Sequence, residues 1–174
     1  MQKLITVNEF KSVKDVGEKV DDKKINQAIE IAQSTDLKDL LGSRFYFDMM
    51  NNLEQANYQD LLSGCTFTFM GVTYYQDGIK ALLTDYTMAK YAMSINTNFT
   101  PFGATVKQSN DSEPADRNSL KDISTQQVQL AGSRWETIKL YLDTNIPKYP
   151  NWVNNIYGGA EFINSERTFR IRKI

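Results

Sequence analysis

The stripe Ile79, Leu82, Leu83, Tyr86, Ala89 and Met93 most restricts what this chain can become. Its apolar positions recur every three or four residues, the period of an α-helix with one buried face. Asp77-Gly78 precedes the stripe, and the pattern predicts a helix running to about Asn96. Such a helix needs partner surfaces, and other segments supply them. Ile25, Ala28, Ile29 and Ala32 keep the same spacing, with Asp22 expected as N-cap. Thr35 or Asp36 is expected to cap a second segment, Leu37-Lys38-Asp39-Leu40-Leu41, which Gly42 stops by taking positive φ. Ser43 then restarts a helix carrying Phe45, Tyr46, Met49, Met50 and Leu53. A long helix is predicted over residues 119–145, with Leu120, Ile123, Ala131, Trp135, Ile138 and Leu142 near one stripe and Pro147 and Pro150 ending it. Gly132 in its middle costs about 1 kcal/mol against Ala and suggests a kink or a close helix approach.

Between these helices the period changes to two. Thr66-Phe67-Thr68-Phe69-Met70-Gly71-Val72-Thr73-Tyr74-Tyr75 predicts a β-hairpin over 66–75, turning at Met70-Gly71. Two strands alone are marginal in water, so the hairpin must pack on helices or pair elsewhere. Residues 6–10 form only a short segment, and residues 14–24 are charge-rich. Residues 98–118, with Pro101, Gly103 and Pro114, are expected to be a polar loop that projects towards an adjacent subunit or ring. The expected class is mainly α: a helical bundle over 1–150 with a small hairpin, and an extended C-terminal arm over 151–174. Fixing backbone costs roughly 1 kcal/mol per residue, so the arm is expected to order only against a partner. Its candidate partner-binding residues are Trp152, Tyr157, Phe162, Phe169, Arg170, Ile171 and Arg172, joined by Glu113 and Pro114 of the loop.

The chemistry-bearing residues point away from catalysis. The 174 residues contain no histidine, which removes the commonest general base and metal ligand. The single cysteine, Cys65, excludes an internal disulfide and has no imidazole to activate it. No phosphate-binding glycine loop, dinucleotide fingerprint, nucleophile elbow or His/Cys ligand pair occurs. The expectation is therefore no catalytic residue, no metal and no cofactor. Asp21-Asp22 reads as a helix cap in preference to a cation site. Twenty Lys and Arg against 21 Asp and Glu give a net charge of −1, without the basic surplus of a dedicated nucleic-acid binder. The aromatic group Phe45, Tyr46, Phe67, Phe69, Tyr74, Tyr75 and Tyr86 lacks interleaved Arg and Lys, and so is expected in core and subunit interface. No window approaches the roughly 18 apolar residues of a membrane span, and composition predicts a soluble, intracellular chain. The basic tail Arg167, Arg170, Arg172 and Lys173 keeps open an alternative as a nucleic-acid-binding accessory protein.

The order of segments resembles the head–tail connector (adaptor, or ring) proteins of tailed phages, in the version of crAss-like and other Bacteroidetes phages. The residues that carry it are Ile25 to Gln33, Asp36-Leu37-Lys38-Asp39-Leu40-Leu41-Gly42 and Phe45-Tyr46, then the hairpin Phe67 to Tyr75 running into Asp77-Gly78-Ile79-Lys80-Ala81-Leu82. Tyr86, Ala89-Lys90-Tyr91, Ser112-Glu113-Pro114-Ala115 and Tyr149-Pro150 are similar as well. The Met-Gly turn and the long tail depart from the pattern. The resemblance implies a virion subunit made in the host bacterial cytoplasm and built into the capsid–tail neck. It would form a ring on the portal protein, commonly of twelve copies, with further neck or tail ring proteins as neighbours. DNA would pass through its channel without specific binding, and neither an enzyme activity nor a membrane is implied.

Overall fold

Thr6 opens the first helix, α1 (Val7–Val13), through a capping box: its hydroxyl accepts from the Glu9 amide at 3.1 Å, and the Glu9 carboxylate accepts from the Thr6 amide at 2.7 Å. The computed structural model describes residues 2–17, 20–95 and 116–152, together with the backbone of 97–100 and 103–106. Helix α1 adds to the expected elements. Its one buried side chain, Phe10, meets Tyr91 edge to face at 6.3 Å.

Helix α2 (Asp22–Ala32) buries Ile25, Ala28, Ile29 and Ala32 as its stripe predicts. The cap is Asp21 rather than Asp22: its carboxylate accepts from the Lys23 amide at 3.0 Å, while Asp22 pairs with Lys11 at 2.7 Å. The expected break at Thr35 or Asp36 does not occur. The chain continues through a π-turn, Gln33–Leu37, into α3 (Lys38–Leu41). Thr35 and Ser34 donate back to the carbonyls of Ile31 and Glu30 instead of capping the next turn. Buried Gln33 accepts from the Leu4 amide at 2.9 Å and donates to the Gln2 carbonyl at 2.8 Å, which pins the N-terminal segment. Gly42, at φ 72°, ends α3. Helix α4 (Ser43–Asn51) buries Phe45, Tyr46 and Met49 but stops short of Leu53. A further helix that the apolar pattern left unassigned, α5 (Ala56–Ser63), buries Tyr58, Leu61 and Leu62.

Strands β1 (Cys65–Phe69) and β2 (Val72–Gln76) form the predicted antiparallel hairpin, with Phe67 opposite Tyr74. Met70 and Gly71 both take positive φ, 50° and 79°, as a tight two-residue turn demands. Helix α6 (Ile79–Ser94) follows and is buried on most sides, although Met93 of its stripe is exposed. Where a polar loop was expected, β3 (Thr97–Thr100) and β4 (Gly103–Val106) pair antiparallel, a correction to the first part of 98–118. Threonine in both strands, with Phe99 in β3 and Val106 in β4, favours the extended backbone that polarity alone concealed. The rest of that segment, with Glu113 and Pro114, lies outside the described residues.

Helix α7 (Arg117–Thr144) packs along α6 and buries Ala131, Ile138, Tyr141 and Leu142, all in its second half. Ile123, Val128 and Leu130 are exposed, so the first half of the stripe is not core. Nothing lies within 4 Å of where a Cβ would sit on Gly132, so close helix approach is not the reason for that glycine. A 3₁₀ turn, Ile146–Lys148, then carries the chain back to the body, where Tyr149 and Trp152 are buried. The result is a mainly helical fold with small antiparallel hairpins.

Candidate interaction face

The hairpin is held to the body by aromatic contacts. Phe67 stacks on Tyr74 across the strands at 5.6 Å and meets Tyr141 of α7 edge to face at 5.3 Å. The Tyr141 hydroxyl lies 3.1 Å from that of Tyr149, and Tyr149 donates to the Asn57 carbonyl at 2.6 Å. Tyr58 donates to the Asp48 carboxylate. Burial, reinforced by that carboxylate, pushes the Tyr58 phenol up, and burial with the Tyr141 contact does the same for Tyr149. Burial raises Tyr141 to about 12. These phenols stay protonated at neutral pH, so they serve as donors and fillers and not as bases.

At the base of the hairpin two glycines let backbones touch. A Cβ on Gly78 would stand 2.4 Å from the Leu62 carbonyl oxygen and 2.6 Å from the Gly64 nitrogen. Buried Gln76 completes the joint: it accepts from the Gly78 amide at 2.7 Å and donates to the Asp60 carbonyl at 2.8 Å and the Cys65 sulfur at 3.4 Å. Cys65 is thus a half-buried member of the hairpin edge, as the sequence suggests.

A second polar cluster lies between helices. The fully buried Asp85 carboxylate of α6 receives Lys14, at the end of α1, at 2.6 Å. Its other oxygen lies 3.0 Å from the Arg134 guanidinium of α7, close enough to pair but out of line for a hydrogen bond. Lys14 also donates to Gln127 of α7 at 2.6 Å. This cluster fastens three helices together; removing Asp85 would take from Lys14 and Arg134 the carboxylate they share, leaving Arg134 only Asp77 at 3.8 Å. Among the described residues no group of three or more Cys, Asp or Glu is placed to hold a metal ion, and no helix is long and apolar enough to cross a membrane.

What faces outward is different in kind. The hairpin tip presents Met70, 86% exposed, beside Val72 and half-buried Phe69, with Tyr75 exposed further along β2. Alongside the hairpin, Tyr74 and the α7 residues Glu136, Thr137, Lys139, Leu140 and Asp143 line a shallow open groove of about 400 Å³. Asp143 of this lining also accepts the indole N–H of Trp152 at 2.8 Å.

Of the residues expected to bind a partner, only Trp152 is described, and it corrects the boundary of the arm. It is 2% exposed and packs on Phe45 at 5.3 Å and Trp135 at 6.1 Å, so residues 151 and 152 belong to the body. Its place after Pro150 hid this, because no periodic pattern reaches it. Tyr157, Phe162, Phe169, Arg170, Ile171 and Arg172 lie outside the described residues, as do Glu113 and Pro114. Of the aromatic group, Phe45, Tyr46, Phe67 and Tyr86 are core, while Tyr75 is exposed. The tip, the groove and the Asp85 cluster went unread, although Met70-Gly71 as a turn already places an apolar side chain in solvent.

Residues 37–161, most of the chain, match the model of a family of unknown function, DUF6712. Neither the curated proteins nor the solved structures include a match.

Proposed function

The chain belongs to the DUF6712 family, and we propose that it works as a structural subunit of the tailed-phage neck. In this reading it forms a ring on the portal vertex, joins capsid to tail and extends the DNA channel, with no turnover of its own. The observation that carries the reading is the apolar hairpin tip. Met70 and Val72 stand in solvent on a hairpin whose base is clamped rigidly by Gly64, Gln76 and Gly78. Apolar side chains grouped on a projection form a surface that another protein can cover. A heterologous contact of this kind, repeated around an axis, closes identical subunits into a ring. The order of segments, which resembles that of head–tail connectors, supports twelve copies, matching a portal. The near-neutral charge suits a channel wall along which DNA slides without specific binding.

Met70→Asp tests this directly. Aspartate tolerates the left-handed backbone better than methionine, so the variant should unfold at the same temperature or higher while losing ring assembly and portal attachment. Full assembly by Met70→Asp would contradict the reading. Saturable binding of duplex DNA by the unassembled wild-type chain at physiological salt would favour the nucleic-acid-binding alternative instead.

A further inference from the structure

We propose that the groove between Tyr74 and α7 receives residues 167–174 of an adjacent copy of this chain. The inference rests on the ring-subunit reading and names the contact that links one copy to the next. The groove has Tyr74 and Leu140 as its floor, with carboxylates at Glu136 and Asp143 and one cation, Lys139. The two acids stand seven residues apart on α7, about 10 Å at the helical rise. Among the described residues neither forms an ion pair. Residues 167–174 have the complementary pattern. In an extended chain Phe169 and Ile171 fall on one side, with Arg167 and Lys173 flanking them on that same side. Phe169 and Ile171 suit the floor, and the flanking cations, about 20 Å apart along an extended strand, reach back inward to the two acids through their long side chains. The segment carries four basic residues and no acidic one, which leaves 16 basic against 21 acidic residues in the remainder of the chain.

Chain length selects the neighbour as the source. Trp152, the last of the described residues, is bonded to Asp143 at the edge of its own groove. Fourteen residues separate Trp152 from Arg167, a reach of about 50 Å when extended. A body of this size is about 40 Å across. The link is far longer than a return to the adjacent groove requires, and it matches the step to the same groove on the next copy. The bound segment also supplies exposed strand backbone beside the two-stranded hairpin, the manner in which extended peptides add to a sheet edge.

The test uses the full chain with Phe169 replaced by photoreactive benzoylphenylalanine, prepared as an equal mixture of light and heavy nitrogen-isotope copies and irradiated after assembly. The expected cross-links join position 169 to Tyr74 or to residues 136–143, and include pairs of one light and one heavy copy. Glu136→Lys should lower their yield at least fivefold, and one of the two single reversals Arg167→Glu or Lys173→Glu, the one that faces position 136, should restore it. Cross-links confined to single-isotope products, cross-links elsewhere, or none at all would overturn the proposal. Native mass spectrometry of the same sample separates the two readings. A closed ring with cross-links elsewhere overturns the docking and leaves the ring. Mixed-isotope cross-links in the groove without a closed ring uphold the docking and contradict the ring.

Discussion

Gly64 and Gly78 meet backbone to backbone at the base of the hairpin, so close that a Cβ on Gly78 would lie 2.6 Å from the Gly64 nitrogen. Both hold positive φ, 93° and 88°. Gly78→Ala therefore combines a strained backbone with a clash against main chain that cannot rotate away, and should cost about 3 kcal/mol or more. Gly71→Ala has the positive φ but open space around it, and should cost only about 1–2 kcal/mol. Urea denaturation midpoints of the two variants check the order.

Gly132→Ala should act in the opposite direction. The position is helical and its Cβ would meet nothing within 4 Å. The variant should gain about 0.5–1 kcal/mol from helix propensity alone. A loss of stability in thermal unfolding would mean that the glycine serves a bend in α7.

These glycines show what the sequence can and cannot tell. The α6 stripe, the α2 stripe and the 66–75 hairpin were legible because apolar residues repeat at a fixed period over many positions. Helix α1 is only seven residues long, with Phe10 its single buried side chain, so no period develops, yet the Thr6–Glu9 capping box was present to be read. The β3–β4 hairpin escaped because its threonines and asparagine look like loop residues until they pair. Gln33, Gln76 and Asp85 resemble surface residues in one dimension; only the fold brings them the backbone groups and cations that make burial tolerable. Trp152 was not legible as a core residue, because it turns inward onto Phe45, more than 100 residues away in sequence.

Asp85→Asn should be the most damaging isosteric change among the polar residues. It leaves Lys14 and Arg134 facing each other with no carboxylate between them. A loss of about 3–5 kcal/mol is expected, read as a fall in thermal midpoint. A shift of only a degree or two would show that the three helices do not depend on this cluster.

The tyrosines predict an alkaline transition. Burial holds Tyr141 at about 12 and pushes Tyr58 and Tyr149 up as well. Their folded values lie above the ordinary value of 10, so the folded chain binds more protons than the unfolded chain above pH 10. The stability tied to these phenols is fully present below pH 10 and is lost as pH rises towards 12. Phenolate absorbance should therefore stay below that of nine free tyrosines until the chain unfolds. Complete, reversible ionisation near pH 10 with helix content intact would contradict the buried cluster.

Ring formation is the central claim, and native mass spectrometry of the full chain mixed with its assembled portal protein tests it most directly. The account predicts one dominant complex in which the portal carries twelve added masses of 19.9 kDa each, and its loss in Met70→Asp. A chain that stays monomeric beside the portal, or attaches in a broad ladder without a closed number, would contradict it.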